Sequence, residues 1–327
     1  MSNFRWGVLG TGGIARAFIK DLTMTENQSV VAIGSRTLGK AQDLSDVTPG
    51  SIAYGSYEEV VRDNNVDAIY VATPHPYHKE HTLLALNAAK PVLCEKPFAI
   101  SARETQEMID CAIKNNVALL EAMWTRYLPH IAHLREILAS GVLGKIYNIQ
   151  ADHGQRLADR NIPRLVEPDL AGGALLDLGI YPISFAHLIL GTPERITSTG
   201  VFTDRGVDAQ TSAIFDYADG AQAVISTNMI AQTPCRAVVS GLLGRLEIDS
   251  VFYAPTSMRI ILTDGTITHY PHTYQGHGLR EQAIEMARVV RSGALESPLM
   301  PWSQTLAVMN TLDEIRRQIG LTYPCEN

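Results

Sequence analysis

A glycine-rich stretch near the start of the chain has the residue types and spacing that bind a dinucleotide. It consists of Gly10, Thr11, Gly12, Gly13, Ile14 and Ala15, in the pattern G-x-G-x-x-A. Here Gly10 permits a tight turn, Gly12 lets the backbone approach a pyrophosphate, and Ala15 allows close packing of a helix on a strand. The N–H groups at the start of that helix attract phosphate oxygens. We therefore predict that this stretch binds the phosphates of a nucleotide cofactor.

The residues that follow the second predicted strand indicate which dinucleotide fits. An acidic side chain at this place would hydrogen-bond the ribose hydroxyls and repel a 2′-phosphate. This sequence instead has Ser35, Arg36 and Lys40. A guanidinium can bind a phosphate through two hydrogen bonds, and a hydroxyl can donate another. We predict NADP, with NAD as the alternative cofactor and a solvated turn with chance charges as the alternative interpretation.

The first third of the chain alternates short apolar runs with helical patterns. The runs predict five strands, at residues 6–10, 29–35, 67–73, 90–96 and 117–123. Apolar runs of this length between helices are typical of a parallel sheet that is buried on both faces. We predict an α/β domain at residues 1–122 with a doubly wound (Rossmann) sheet, whose ligand lies at the carboxyl ends of the strands.

The pattern changes after Trp124, where strands follow one another without helices between them. They are predicted at residues 146–153, 195–203, 210–217, 221–229, 236–241, 245–248 and 258–262. Turn signals at Asp219-Gly220 and Asp264-Gly265 indicate hairpins. We predict an α+β domain at residues 123–327, with a mainly antiparallel open sheet and helices on one face. It would bind the substrate and, if the other face is apolar, would join subunits in a homodimer or larger assembly.

Composition excludes several classes of protein. The 327 residues are 46% apolar and 19% charged, and their net charge of −7 argues against nucleic acid as a partner. No apolar run approaches the roughly 20 residues of a membrane span, and the N-terminus shows no signal-peptide pattern. The four cysteines show no C-x-x-C spacing, which favours free thiols in a reducing compartment. We predict a cytoplasmic protein without a membrane or nucleic-acid partner.

Four further motifs resemble one family of oxidoreductases. "ATPHPYH" (72–78), "CEKPFAI" (94–100) and "GGALLDLGIYP" (172–182), together with the opening turn, resemble the glucose-fructose oxidoreductase/inositol dehydrogenase (Gfo/Idh/MocA) family. "EAMWTRYLP" (121–129) and Tyr181, where many relatives have His, are similar to a narrower group of NADP-dependent dihydrodiol and D-xylose dehydrogenases. The resemblance covers the whole chain in order and spacing.

The resemblance implies roles for particular residues. It assigns Lys96, Tyr181 and Asp177 to the reaction centre, and it implies a cis Lys96–Pro97 bond. It also implies two sets of binding residues: Thr73, Pro74, His78, Glu95 and Lys96 near the nicotinamide half of the cofactor, and Trp124, Arg126, Asp177 and Tyr181 around the substrate.

The implied reaction centre makes chemical sense. Oxidation of an alcohol needs a base that removes the hydroxyl proton while a hydride leaves the carbon. A phenol with a pKa of about 10 is a poor base at neutral pH, and a nearby ammonium favours the phenolate. Lys96 would supply that charge to Tyr181, and Asp177 would orient the pair or balance its charge. The alternative assignment of roles stays open, in which Lys96 carries the proton and Tyr181 is the orienting residue.

The resemblance therefore implies a dehydrogenase that acts on a hydroxyl of a sugar or cyclic diol. A keto-sugar or polyol reductase of the same family is one alternative, with the same residues working in the opposite direction. A nucleotide-binding sugar sensor without turnover is another. A sensor need not retain both Lys96 and Tyr181, so their presence favours an enzyme.

Three groups of basic side chains invite other interpretations. They are His75, His78 and His81, the trio His269, His272 and His277, and the trio Arg156, Arg160 and Arg164. Pro74 and Pro76 interrupt the first group, so we do not predict a shared helical face or a metal site. The second group is predicted to lie in a loop, at the edge of the cleft or in solvent. For the third group, a solvated loop or a subunit contact is favoured over binding of an anionic substrate.

Overall fold

The computed structural model describes residues 2–160 and 162–326, and its first sheet has six parallel strands. They are β1 (Phe4–Leu9), β2 (Gln28–Gly34), β3 (Ile52–Tyr54), β4 (Ala68–Val71), β5 (Val92–Glu95) and β6 (Leu119–Ala122). Their order in the sheet is β3-β2-β1-β4-β5-β6. The order reverses between β1 and β4, which is where ligands bind in sheets of this kind. The predicted doubly wound sheet is confirmed.

Burial explains which strands the sequence revealed. Every residue of β4, β5 and β6 is buried, so both faces of these strands require apolar side chains. The edge strand β3 has only three residues, and Ile52 on it is exposed. The prediction of five strands was wrong by this one strand, because a short half-exposed edge strand leaves no continuous apolar run.

Five helices pack beside these strands: α1 (Gly13–Leu22), α2 (Leu38–Ser45), α3 (Tyr57–Arg62), α4 (His78–Asn87) and α5 (Ala102–Asn115). The face of α1 that packs on the sheet contains Ala15, Phe18 and Leu22, which are fully buried or nearly so. The ring of Phe18 stacks on Tyr70 of β4 with centroids 4.0 Å apart. This contact fixes the start of α1, and with it the glycine-rich turn, against the sheet.

The second sheet has eight strands. They are β7 (Ile146–Gly154), β8 (Arg195–Phe202), β9 (Asp208–Asp216), β10 (Gln222–Asn228), β11 (Ala237–Gly241), β12 (Gly244–Ile248), β13 (Met258–Leu262) and β14 (Ile267–Tyr270). Their order is β14-β13-β12-β11-β7-β10-β9-β8, and only β7 and β10 pair in parallel. The predicted mainly antiparallel sheet is confirmed. One detail was wrong: His269 lies within β14 and not in a loop, because the Asp264-Gly265 hairpin extends further than predicted.

Three helices and one π-helical turn accompany the second sheet. The helices are α6 (Pro129–Ala139), α7 (Pro163–Val166) and α8 (Ile180–Leu190), and the turn, Leu175–Gly179, leads directly into α8.

By length and composition alone, the segment Pro168–Leu190 could cross a membrane, so the prediction that no segment approaches this length was wrong. However, 83% of its most apolar window is buried inside the protein, as in the core helix of a soluble protein.

The chain divides into two compact units. The first contains the chain up to Ala99 together with Arg103–Tyr127 and Gly276–Thr305, and the second contains Ile100–Ala102, Leu128–Gln275 and the chain from Leu306 onward. Two helices complete the structure, α9 (Arg280–Ser292) and α10 (Trp302–Ile319). Within the first unit, Asp21 of α1 accepts hydrogen bonds from the backbone N–H groups of His277, Gly278 and Arg280. This carboxylate anchors the segment that precedes α9.

Candidate active site

The glycine-rich turn presents open backbone at the carboxyl end of β1. Gly10 has a φ of +109°, and a Cβ there would lie 2.7 Å from the backbone oxygen of Ala72, so only glycine fits. A Cβ on Gly12 or Gly13 would meet nothing within 4 Å in the described part of the chain. Gly12 caps α1 without a side-chain hydrogen bond, which leaves the first N–H groups of the helix to a ligand. The turn therefore fits the pyrophosphate of a dinucleotide.

Arg36 lies at the edge of a pocket that follows β2. The pocket is lined by Arg36, Gly55, Ser56, Tyr57, Glu58, Glu80, His81 and Leu84. The Arg36 guanidinium is exposed and lies 5.6 Å from the ring centroid of Tyr77. Ser35 is buried and accepts a hydrogen bond from the backbone of Thr37, while Lys40 is exposed one turn further on. The two glutamates oppose an anion, so the guanidinium is the group at this edge that favours a 2′-phosphate.

Replacing Arg36 with alanine is expected to raise the KM for NADP by about 10- to 100-fold, the usual effect of losing a charge-assisted hydrogen bond. The KM for NAD should change little, because NAD has no phosphate at this position. Initial rates with each cofactor measure both constants. Arg62→Ala, an exposed arginine on α3, is the matched control. An equal rise for NADP and NAD would contradict the assignment.

His78 joins the turn after β4 to the turn after β5. Its Nδ1 lies 2.8 Å from the backbone oxygen of Pro97, and its Nε2 lies 2.8 Å from that of Thr73. Burial lowers the pKa of His78 to about 4, and the charge of Lys96 adds to this effect. The ring is therefore neutral near pH 7 and donates to one of the two carbonyls. Its contacts make His78 a support for the Thr73–Pro74 turn and for Pro97.

Lys96 follows β5, between two buried residues. Glu95 is buried and accepts a hydrogen bond from the Tyr70 hydroxyl through Oε1, while its Oε2 lies 3.3 Å from the backbone nitrogen of Lys96. The Lys96–Pro97 peptide bond is cis, as predicted. Lys96 is half-buried and directly follows β5, at the carboxyl end of that strand.

A second buried carboxylate lies near Lys96 and was not predicted. Glu121 of β6 is 2% exposed, and its Oε2 accepts a hydrogen bond of 2.8 Å from the Thr305 hydroxyl. Burial raises the pKa of Glu121 to about 7, although Thr305, Arg126 and Lys96 oppose this rise. Arg126 is also fully buried and donates to Gln304 over 2.6 Å. The sequence signal was a single glutamate inside the apolar run 117–123.

Glu121 should make stability depend on pH. Its folded pKa of about 7 exceeds the ordinary 4.5, so the native state retains a proton that the unfolded state loses. Stability should therefore fall as pH rises from 5 to 8, by about 3 kcal/mol from this group. In Glu121→Gln this loss of stability should be absent. The stability of the variant relative to the wild type should therefore increase as pH rises. Urea unfolding of both proteins at pH 5 and pH 8 measures the difference, and a constant difference would contradict the assignment.

The second unit holds the other predicted catalytic residues. Asp177 lies on the π-helical turn, and its Oδ1 accepts a hydrogen bond of 3.1 Å from Arg164. Tyr181 lies in the first turn of α8 and is 6% exposed. Its ring contacts His153 of β7 and Tyr253, which follows β12. The sequence did not reveal either of these aromatic neighbours, because both are far from Tyr181 along the chain.

A buried carboxylate supports the turn that carries Asp177. Asp208, at the start of β9, accepts hydrogen bonds from the backbone N–H of Leu175 (2.7 Å) and from the Thr211 hydroxyl (3.0 Å). Burial raises the pKa of Asp208 to about 6, and these two bonds oppose the rise. Asp208 therefore satisfies the first N–H of the π-helical turn, two residues before Asp177.

The predicted residues thus fall into two groups. The first unit contains the residues predicted to bind the cofactor, Lys96, and the pair Trp124 and Arg126. Trp124 is nearly buried there and contacts the ring of His277, with centroids 5.1 Å apart. Asp177 and Tyr181 belong to the second unit. Among residues 2–160 and 162–326, no group of three or more His, Cys, Asp or Glu could hold a metal ion.

Comparison with known families agrees with this arrangement. The family described as "Oxidoreductase family, NAD-binding Rossmann fold" matches residues 4–123, and the "GFO/IDH/MocA C-terminal domain" matches residues 131–268. The chain belongs to the Gfo/Idh/MocA family of oxidoreductases. The family predicted from the motifs is confirmed, and with it a nicotinamide-dependent oxidoreductase.

Two curated relatives match along nearly their whole length. Trans-1,2-dihydrobenzene-1,2-diol dehydrogenase of Xenopus tropicalis is 35% identical and aligns over 98% of this chain and 99% of its own. D-xylose 1-dehydrogenase (NADP(+)) of Hypocrea jecorina is also 35% identical, over 98% of this chain and 93% of its own.

Solved structures give the same result for the fold. A 3-ketoreductase from Actinomadura kijaniata, in complex with NADP and TDP-benzene, has a TM-score of 0.86 at 26% identity and covers 97% of this chain and 98% of its own. An aldose-aldose oxidoreductase from Caulobacter crescentus, complexed with glycerol, has a TM-score of 0.87 at 24% identity and covers 97% of each chain. The second likeness concerns the fold alone.

Proposed function

We propose that this protein is an NADP-dependent dehydrogenase that transfers a hydride between the nicotinamide and a hydroxyl-bearing carbon of a sugar or cyclic diol. One observation carries the proposal. The chain is 35% identical to two dehydrogenases over nearly its whole length, and it has both residues of the implied reaction centre. Lys96 lies at the carboxyl end of β5, and Tyr181 lies in a buried cluster of rings. The open backbone at Gly12 and the exposed guanidinium of Arg36 fit NADP.

The chain's own residues would handle the proton. NADP, when bound, supplies the nicotinamide that accepts the hydride. Tyr181, as phenolate, takes the proton from the substrate hydroxyl. Lys96 donates a hydrogen bond to the substrate oxygen and favours the phenolate by its charge. Asp177, paired with Arg164, orients the phenol. Lys96 as the proton carrier is the alternative, and the variants in the Discussion distinguish the two.

A panel of substrates tests the proposed function. Initial rates of NADPH formation are measured with aldoses, polyols and trans-dihydrodiols, each with NADP and with NAD. We expect turnover with one of these classes and a higher kcat/KM with NADP. Turnover only in the opposite direction, with keto-sugars and NADPH, would show that the protein is a reductase instead. Binding of a sugar without any turnover would favour the sensor and contradict the proposal.

We also propose that two copies of the chain associate through the outer face of the second sheet. Val201, Ile214 and Val224 lie exposed on this face of β8, β9 and β10, and Ile214 pairs directly with Val224. Burying these side chains against a second copy would remove them from water. Light scattering is expected to give twice the monomer mass for the wild type and the monomer mass for Ile214→Lys. A monomeric wild type would contradict the proposal.

Cytoplasmic location stays a prediction, which cell fractionation would check.

A further inference from the structure

Tyr181 is one of three aromatic side chains that contact one another inside the second unit. Its ring centroid lies 5.2 Å from that of His153 and 4.6 Å from that of Tyr253. The rings of His153 and Tyr253 stack with centroids 4.0 Å apart. His153 is 1% exposed and Tyr253 is 9% exposed. The mechanism above uses only Tyr181, so the two other rings need an explanation.

The hydrogen bonds of His153 determine which of its nitrogens carries a hydrogen. Nδ1 lies 3.1 Å from the backbone oxygen of Leu178, and a carbonyl oxygen can only accept, so Nδ1 donates. In the neutral ring, Nε2 is then an acceptor. Gln155, directly after β7, has its Nε2 2.9 Å from this atom. The amide of Gln155 therefore points its nitrogen, and not its oxygen, at His153.

The same amide nitrogen sets the direction of the hydrogen bond at Tyr253. Gln155 Nε2 has two hydrogens, and the second is donated over 2.8 Å to the hydroxyl oxygen of Tyr253. Because this oxygen receives a hydrogen from Gln155, the hydroxyl hydrogen of Tyr253 must point to another acceptor. If His153 were protonated, the amide would have to turn its oxygen toward both groups, and Tyr253 would then donate to Gln155.

The electrostatic surroundings keep Tyr253 protonated. Burial raises the pKa of Tyr253 above its ordinary value, and the nearby Cys235, Tyr181 and Asp177 raise it further. Cys235, Tyr181 and Asp177 are the titratable groups that act on Tyr253, and Asp177 is paired with Arg164. Negative charge on Tyr181 is thus felt at Tyr253. Tyr253 therefore retains its hydroxyl hydrogen and can donate it.

We propose that Tyr253 is a positioning residue for Tyr181: held by Gln155 and neutral His153, it donates its hydroxyl hydrogen to the Tyr181 phenolate. This inference rests on the proposed role of Tyr181 as the proton carrier. A hydrogen bond donated to a charged oxygen favours the charged form. Tyr253 would therefore keep Tyr181 ionised, and ready to accept a proton, at a lower pH.

The pH profile of kcat/KM tests this role. In Tyr253→Phe, which retains the ring, the acid limb is expected to move up by about one to two pH units, the usual effect of one hydrogen bond to a charged group. Activity should largely recover at high pH. Gln155→Leu, which removes the donor that orients Tyr253, should move the limb in the same direction by less. Tyr217→Phe, a buried tyrosine of the same unit outside the ring cluster, is the matched control and should leave the profile unchanged.

Two outcomes would overturn the inference, and they are distinguishable. If Tyr253→Phe lowers kcat/KM equally at every pH, Tyr253 only fills space, and the proposed function is unaffected provided that Tyr181→Phe is inactive. If Tyr181→Phe retains normal activity, the proton is carried elsewhere and this inference fails with the proposed role of Tyr181. Fluorescence titration with NADPH establishes that each variant still binds the cofactor.

Discussion

Replacing Lys96 with methionine is expected to lower kcat by at least about 10²-fold, the usual contribution of acid-base catalysis. Methionine matches the apolar stem of lysine but lacks the terminal ammonium, so it has no charge and no donor. In the proposed mechanism, the change therefore removes both the ammonium that favours the Tyr181 phenolate and the donor to the substrate oxygen. Lys96 is half-buried at the end of β5, and methionine keeps the contact of 3.3 Å between its backbone nitrogen and Glu95 Oε2, so the fold should persist.

The measurement needs a cofactor-binding readout beside the rate. Initial rates give kcat, and the quenching or enhancement of NADPH fluorescence gives the dissociation constant. Lys114→Met, an exposed lysine on α5, is the matched control and should behave as the wild type. If Lys96→Met retains near-normal kcat while NADPH binds normally, Lys96 has no part in the chemistry and the proposed mechanism is wrong.

The sequence predicted the parts of the fold that are set by local patterns. A parallel strand buried on both faces must be apolar along its length, and this made β4, β5 and β6 visible. Alternation did the same for β10, where Ala223 and Ile225 are buried and Val224 is exposed. The short edge strand β3 escaped because exposure removes the requirement for apolar side chains. The return of Gly276–Thr305 to the first unit was not predicted, because it depends on hydrogen bonds that backbone N–H groups more than 250 positions away donate to Asp21.

The candidate site likewise has parts that local sequence patterns indicate and parts that only the folded chain brings together. The glycine-rich turn and Arg36 could be proposed as binding residues from the sequence, because a phosphate-binding turn is built from consecutive residues, and their roles stay predictions. The roles of Lys96 and Tyr181 came from the resemblance of motifs to a family, and not from periodicity. Gln155 and Tyr253 are 98 residues apart and meet only in the folded second unit. No spacing rule in the sequence could connect them, because the contact is made by a strand end and a loop after another strand.

Replacing Tyr181 with phenylalanine is expected to cut kcat by roughly 10²–10⁴-fold, because the proposed general base is lost while the ring remains. The ring contacts with His153 and Tyr253 do not need the hydroxyl, so the fold and NADPH binding should be retained. KM for the substrate should change far less than kcat, since the phenol acts mainly in the transition state. Rates across pH 6–10 establish that the loss is not a shifted optimum.

The double variant Lys96→Met, Tyr181→Phe separates the two possible proton carriers. If the residues act as one unit, the first deletion already removes their joint effect, and the second adds little. We therefore expect the double variant to be about as slow as the slower single variant, and not slower by the product of the two factors. Multiplicative losses would show that Lys96 and Tyr181 contribute independently. If Tyr181→Phe retains near-normal kcat while Lys96→Met is inactive, Lys96 alone carries the proton. In that case Tyr181 orients the substrate, which is the alternative division of roles that the sequence left open.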